Sequence, residues 1–430
     1  MNAVLGGAGA SARSTHDRAL AYGRGAAPAP LPRCTDFLVV GGGIIGINLA
    51  LELKRRYADA DVTLLEKESS CGTHASGRNS GVLHAGFYYT ADSLKARFTR
   101  EGNRQLTEYC QERGLRVNYC GKLVVARQAT DLAGLSELLR RGRASGVPLE
   151  DLSLEEARRI EPRVKTCGRA LFSPTTSSVD PGEVLDSLCR DMHRAGIRVA
   201  TGTAYLRVAG AEVRTSAGSI AAGYVVNAAG LYADRIARDF CFSERHRILP
   251  FKGLYLRAEP SGPRFNTHIY PVPDLRAPFL GVHVTVGVDG EAHIGPTAMP
   301  ALWREQYQGL RNLRFAECVE ILARQVKLFL RDDFDFRGLA IRELRKYGKR
   351  TLVTHAAGLA EGIRIEDFQR WGRAGIRAQL LDIRTGKLEM DFRYEGDERS
   401  FHVLNAVSPA FTCAMPFCAH LADQIEALVA

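Results

Sequence analysis

Asp36-Phe-Leu-Val-Val-Gly-Gly-Gly-Ile-Ile-Gly46 is the segment from which the rest of this 430-residue chain can be read. Phe37 to Val40 is a short apolar run that stops at glycines, the pattern of a parallel strand buried on both faces. Residues 44–57 (IIGINLALELKRRY) contain no breaker and carry apolar residues on most faces, which predicts a largely buried helix. Residues 62–65 (VTLL) predict a second buried strand, so strand, helix and strand form a βαβ unit. The glycines have the GxGxxG spacing. Gly41 permits the tight turn, Gly43 lets the backbone approach a pyrophosphate, and Gly46 lets helix and strand pack closely. The helix N-terminus adds amide donors and a positive dipole end. Glu66 ends the second strand 20 residues after Gly46 and can accept hydrogen bonds from ribose hydroxyls. An ordinary glycine turn leaves Glu66 unexplained, so the segment is read as a dinucleotide site; by itself it does not separate FAD from NAD.

Outward from this unit, helices are predicted over 98–113, 131–144, 153–160, 183–195 and 311–330. The third opens at Ser153 with Glu156 three residues on, a capping-box spacing. Strands are predicted over 122–126 (KLVVA), 197–200 and 213–227. Residues 250–298 alternate and contain the turn signal Pro-Val-Pro-Asp (271–274), which predicts an antiparallel sheet. A last helix is expected from about Pro416 to Val429.

Lysine and arginine number 58 against 48 acids, a formal charge of +10. The excess is spread without a long run of like charge, so no nucleic-acid partner is expected. Attraction to anionic substrates, or peripheral contact with a membrane, is compatible with it. The runs at 139–143 and 342–350 read as solvated helix faces. The ten cysteines include no Cys-x-x-Cys pair and no zinc-site spacing, so free thiols and no metal are expected. No apolar run approaches the roughly 20 residues of a membrane-spanning helix. Residues 1–35 are rich in Ala, Gly and Pro, with Arg13, Arg18, Arg24 and Arg33 against the single acid Asp17, and are expected to be a flexible leader. That composition fits either an organellar transit peptide or an extension with no address. The first reading places the protein in the mitochondrial matrix or at the inner-membrane surface, the second in the cytoplasm.

Several further stretches carry a resemblance. They are LLEKE (64–68), HASGRNSGVLHAGFYY (74–89) followed by SLKA, CGKLVVA (120–126), AAGLYADRI (228–236), PFKGLYL (250–256), IYPVPD (269–274), FLGVHVT (279–285), HIGPTA (293–298), GIRAQ (375–379) and HVLNAVSPAFT (402–412). In this order and spacing, from Asp36 to the C-terminus, the chain resembles the FAD-dependent D-amino-acid-oxidase-like superfamily. Within it, the chain is similar to the L-2-hydroxyglutarate dehydrogenase/oxidase family.

The resemblance implies an α/β fold with two domains. One is a discontinuous Rossmann-like FAD domain with a parallel sheet, from 36–115, 175–245 and 355–430. The other is a substrate domain with a mostly antiparallel sheet, from 116–174 and 246–354. FAD contacts are then expected at Gly41, Gly43, Gly46, Glu66, Lys67, Ser80, Gly81, Ala229, Gly230 and Gly375. Ser76–Gly81 resembles the loop that lies along the flavin; Arg78 stands where the family often has histidine, adding a fixed charge there. His74 occupies a loop where some relatives attach FAD covalently, although this family is expected to bind it non-covalently.

The implied reaction is oxidation of a small 2-hydroxy acid, L-2-hydroxyglutarate to 2-oxoglutarate, by hydride transfer to flavin N5. A neutral base must take the hydroxyl proton. His283 is the first choice and His84 the second, although a histidine alternating with apolar residues is by itself as readily structural. The substrate carboxylates call for fixed cations. Arg377 leads, with a further part in stabilising reduced flavin, and Lys252 and Tyr270 follow. A quinone pool or an electron-transferring flavoprotein is the implied electron acceptor. Two other readings stay open: an FAD-dependent amine or amino-acid oxidoreductase, and a flavin-bound scaffold protein without turnover.

Overall fold

In the computed structural model, which describes residues 31–274, 279–331 and 333–429, Cys34–Val40 is an inner strand of a largely parallel sheet. It pairs with Val62–Leu65 on one side and with Gly218–Asn227 on the other, and Arg198–Ala200 lies beyond Val62–Leu65. Ser400–Asn405 extends the sheet as a further parallel strand beside Val225–Asn227. Tyr205–Ala209 and Glu212–Thr215 add an antiparallel edge. Sequence explains the burial: helix Ile44–Arg56 lays Ile47, Leu49 and Leu53 onto Val39 and Leu64, while Leu38 is covered on the other face of the sheet beside Val225 and Ile236. Each such side chain contributes roughly 1.5–3 kcal/mol by leaving water.

A second sheet has the order Arg370–Trp371, Leu256–Arg257, Ala292–Gly295, His283–Val286, His268–Pro271, Lys122–Val125, Arg169–Ser173, Glu150–Ser153. Its pairs are antiparallel except that His268–Pro271 runs parallel to Lys122–Val125, so the sheet is mixed within the stretch read as antiparallel. The α/β architecture with one parallel and one mostly antiparallel sheet is therefore present. A four-stranded sheet joins the two. In it, His246–Gly253 pairs along its whole length with Gly375–Asp382, although the sequence reading assigned these strands to different domains.

Most helices fall near their expected places: Leu94–Glu112, Leu132–Ala144, Leu154–Ile160, Pro181–Arg194 and Phe315–Arg331. The capping box forms, with Ser153 Oγ accepting from Glu156 N and the Glu156 carboxylate accepting from Ser153 N.

The last helix needs a correction. It runs Ala410–Val429 with Pro416 inside. Proline lacks the N–H that would bond the carbonyl four residues back, here that of Thr412. A Cβ on Gly102 of helix Leu94–Glu112 would overlap this carbonyl oxygen, so the two helices cross there in close contact. Burial of Cys413, Phe417 and Leu421 outweighs the local cost of Pro416. Residues 1–30 of the expected leader lie outside the described residues. Among the described residues, no helix is long and apolar enough to cross a membrane.

Candidate active site

One cavity of about 1340 Å³ runs from the glycine turn to the substrate-side sheet. That is more than the roughly 300–1,000 Å³ of an ordinary small-molecule pocket, and leaves room for a dinucleotide together with a small acid. Its walls include Gly41, Gly43, Glu66, Lys67, Ser80, Ala229, Gly230 and Gly375 at one end, and His84, Lys95, Tyr270, His283 and Arg377 at the other.

At the first end, backbone does most of the shaping. Gly41 has φ +114°, a conformation that L side chains rarely adopt, and a Cβ there would lie 2.6 Å from the Ala228 carbonyl oxygen. A Cβ on Gly46 would overlap the Gly41 carbonyl oxygen. Gly46 does not line the cavity; it acts by letting the helix sit against the turn. Gly81 likewise stands behind the wall, where a Cβ would overlap the Val179 carbonyl oxygen. At Gly375 a Cβ would lie 2.8 Å from the Arg78 carbonyl oxygen, so this glycine admits the 74–81 loop. Gly43 caps helix Ile44–Arg56 without a side-chain hydrogen bond, and Ile44 N donates to Ser76 Oγ at 2.9 Å.

The Glu66 carboxylate is held by the amides of Gly42 and Glu68, both at 2.8 Å. Burial pushes its pKa up against the pull of these donors. Lys67 reaches the cavity wall, but its ammonium is bound to Glu68 and, at 2.7 Å, to Glu305. These carboxylates raise its pKa against the opposing effect of burial. His74 is engaged at both ring nitrogens, with Tyr307 Oη at 2.9 Å and Glu68 Oε1 at 3.0 Å. Glu68, His74 and Glu305 have the composition of a metal site, yet the Lys67 ammonium already pairs with both carboxylates. Arg78 directs its fixed charge at main-chain carbonyls, those of Thr73 (2.7 Å) and Ala374 (3.3 Å), and stacks on Tyr307. It fastens the loop to the adjoining strand.

At the other end, side chains do the shaping. His283 is buried, and its ring lies on Tyr270 with centroids 3.8 Å apart and planes 14° from parallel. Its Nδ1 is 2.8 Å from the Gly281 carbonyl oxygen. That oxygen only accepts, so in the neutral ring Nδ1 carries the proton and Nε2 keeps its lone pair. Nε2 has no hydrogen-bond partner among the described residues. Burial pushes the His283 pKa down to about 3; the Gly281 carbonyl opposes this, and Lys122 and Arg377 add to the lowering. His84 is lowered well below its usual value by burial, with Lys122 next in effect.

Arg377 forms no ion pair with any carboxylate among the described residues; its guanidinium lies 4.8 Å from the Phe279 ring centroid, and burial lowers its pKa. Lys252 is a correction. Phe251 and Gly253 line the cavity and Lys252 does not, because successive residues of a strand face opposite ways.

Two lysines escaped the sequence reading. Lys95 lines the cavity without an ion pair among the described residues, and its pKa is pushed down to about 8 by burial and then by Arg377. Lys122 is fully buried, its Nζ without a hydrogen bond and 4.6, 4.6 and 5.1 Å from the rings of Phe87, Tyr88 and Tyr270. Burial lowers its pKa to about 7. A lysine heading the apolar run LVVA is the signal that could have marked it.

Against known proteins, the family of FAD dependent oxidoreductases (DAO) matches residues 36–424. The chain belongs to the FAD-dependent oxidoreductases. Relatives of this family include the L-2-hydroxyglutarate dehydrogenase of Salmonella houtenae, 36% identical over 412 residues, with 91% of this chain and 93% of that protein covered. The human protein named L-2-hydroxyglutarate dehydrogenase, mitochondrial, is 34% identical over 418 residues, covering 91% and 88%. Among solved structures, dithionite-reduced L-alpha-glycerophosphate oxidase from Mycoplasma pneumoniae with FAD bound superposes with a TM-score of 0.73. It is 22% identical, with 92% and 95% of the two chains covered. Glycine oxidase from Geobacillus kaustophilus gives 0.70 at 20% identity, covering 92% and 95%. These two share the fold. The residues present fit FAD. The glycine turn leaves no side chain between backbone and cavity at Gly41 and Gly43, the positive end of helix Ile44–Arg56 behind that turn suits a pyrophosphate, and Glu66 retains lone pairs for ribose hydroxyls.

Proposed function

We propose that this oxidoreductase acts on a small 2-hydroxy acid, L-2-hydroxyglutarate, and yields 2-oxoglutarate. One observation carries the reading: two cations without ion-pair partners among the described residues, Arg377 and Lys95, line the same cavity as a neutral histidine whose Nε2 has no hydrogen-bond partner among them. A dicarboxylate has two anionic ends to offer them, and its hydroxyl needs a base. The names of the relatives supply the carbon skeleton and the stereochemistry.

In this proposal Arg377 binds one carboxylate through its planar fork and Lys95 receives the other. His283 Nε2 takes the hydroxyl proton, its ring plane held by Tyr270 and its tautomer by the Gly281 carbonyl. His84 adds a second neutral imidazole to the same wall. FAD, when bound, supplies the ring that accepts the α-hydrogen with its electron pair. Gly41, Gly43, Glu66, Ser80, Ala229, Gly230 and Gly375 hold that cofactor, with Gly46, Lys67 and Gly81 shaping the wall behind them. The proposal retains the division into an FAD domain (36–115, 175–245, 355–430) and a substrate domain (116–174, 246–354), bridged by the shared four-stranded sheet. It takes a quinone pool or an electron-transferring flavoprotein as electron acceptor, and a mitochondrial address if residues 1–35 act as a transit peptide.

The test is anaerobic addition of a substrate panel to the yellow protein, read as loss of flavin absorbance near about 450 nm. Bleaching by L-2-hydroxyglutarate and not by amino acids is expected. Bleaching by amino acids alone would assign the site to amine oxidation, and no bleaching by either class would leave a scaffold.

A further inference from the structure

Helix Phe315–Arg331 is built inside out. Its inward line is Glu317, Ile321, Gln325 and Leu328. The two polar members of that line are occupied: Glu317 accepts from Arg304 N at 2.8 Å and from Arg235 at 2.8 Å, and Gln325 donates to the Ala301 carbonyl at 2.7 Å. Its outward line is apolar: Phe315, Val319, Leu322, Val326, Phe329 and Leu330 are all exposed. Phe315 is 79% exposed and Leu330 72%, and Leu310, just before the helix, 76%. Helix Phe336–Arg345 packs alongside, Arg337 donating to the Phe329 carbonyl at 3.2 Å, and adds exposed Ile341 and Leu344. A soluble helix ordinarily shows the reverse pattern, and a contiguous apolar surface of this kind marks a contact.

The surrounding charge selects the occupant. Residues 311–350 hold eleven Lys and Arg against six acids, half of the net charge of the whole chain. Two of those acids, Glu317 and Glu343, are buried, and Glu320 is paired with Arg324 and Arg235. Arg311, Lys327 and Arg345 stand exposed around the apolar stripe, and Arg342, also exposed, is paired with Asp335 at 2.8 Å. Apolar side chains rimmed by cations match a bilayer surface of anionic lipids, where the apolar groups enter the headgroup boundary and each cation adds electrostatic attraction. Arg314, next to Phe315, lines the cavity, so one end of the stripe lies beside it.

We infer that the face formed by helices Phe315–Arg331 and Phe336–Arg345 docks the enzyme on an anionic membrane surface. The inference rests on the proposed quinone acceptor only for its purpose; the docking itself does not need it.

Flotation of the FAD-loaded protein with quinone-free vesicles tests it, comparing phosphatidylcholine alone with phosphatidylcholine plus phosphatidylglycerol. Binding to the anionic vesicles is expected, with at least about a tenfold loss for a Phe315→Ser, Leu322→Gln, Leu330→Gln triple variant. A marked loss is also expected in about 0.5 M salt, where screening shortens the reach of the cations to a few ångström. The triple variant should keep its flavin and its bleaching by substrate, because none of the three residues lines the cavity. A wild-type protein that stays free of anionic vesicles, or a triple variant that binds as well as wild type, would overturn the inference. So would a wild-type dimer that the triple variant converts to monomer, since that assigns the face to a second copy. Reduction of a short-chain quinone in detergent, measured separately, reports on the acceptor alone, so the two ideas fail independently.

Discussion

The two ends of the cavity are made from different material. At the nucleotide end the walls are main chain, and the side chains that matter are mostly those glycine lacks: a Cβ at Gly41 or Gly46 runs into carbonyl oxygen. At the substrate end the walls are the side chains of Lys95, Tyr270, His283 and Arg377, drawn from a helix and three strands. The first end is rigid because there is nothing to rotate, and the cofactor meets dipoles. The second is charged and adjustable, and its groups hold their protonation states only because of their surroundings. Damage at one end should therefore remove cofactor, and damage at the other should remove chemistry while the protein stays yellow.

The largest effect is expected from Gly46→Val, whose side chain would occupy the position of the Gly41 carbonyl. Purified protein should be colourless and fail to take up FAD in a fluorescence titration; a yellow, active variant would break the contrast between the two ends. Next, His283→Ala should keep FAD and slow flavin reduction by about 10²–10⁴-fold in stopped flow. Because burial holds His283 near a pKa of about 3, the wild-type free enzyme should show no acid limb in kcat/KM at the ordinary histidine value of about 6.5. The same depression ties His283 to stability. Between pH 6.5 and 3 the unfolded chain gains a proton there that the folded one refuses, so stability should fall as pH drops through that window.

A smaller effect separates the two cations. Arg377→Lys should raise the KM for any 2-hydroxy acid by roughly 10–100-fold, since the fork is lost and the charge stays. Lys95→Met should weaken a dicarboxylate by about tenfold and leave a monocarboxylate nearly untouched, at about 1.4 kcal/mol per tenfold change. Equal losses on both substrates would remove Lys95 from its proposed role.

The mildest expected change is a gain. Lys122 has a folded-state pKa of about 7 against about 10.4 when free. The cost of its buried charge is thus fully present below pH 7 and is relieved as pH rises from 7 toward 10.4. Lys122→Met should raise Tm by a few degrees at pH 6, and less at pH 9. A lower Tm at pH 6 would mean that the three surrounding rings do more for the ammonium than burial costs it.

What could be read in advance follows the same division. Strand, turn, helix and Glu66 are contiguous, and their spacing reports their geometry, so the unit from Asp36 to Leu65 was legible, with the strand starting two residues earlier and the helix ending one residue sooner than read. The substrate end joins positions almost 300 residues apart, such as His84 and Arg377, and no local period reports that; resemblance supplied His283, His84, Arg377 and Tyr270. Lys252 went astray because alternation shows that two faces exist without saying which one meets the cavity. Lys95 and Lys122 were passed over because a lysine ordinarily belongs to solvent, and only the folded chain reveals that these two do not. Pro416 read as a start signal because its missing donor is tolerated best at a first turn; the close crossing at Gly102 was invisible.

The order in which the chain is made has its own bearing on the nucleotide pocket. Its first helix, Ile44–Arg56, emerges early from the ribosome, yet Arg56 reaches its ionic partners Asp423 and Glu426 only when the final helix arrives, and Cys418 donates to the Ile45 carbonyl. Strand Ser400–Asn405, which flanks Gly218–Asn227, is likewise a late product of translation. A nascent chain stalled before residue 400 therefore carries the whole glycine signature but lacks the strand and helix that brace it. Firm retention of the vitamin-derived cofactor is accordingly expected only once residues 400–429 have folded against the first helix.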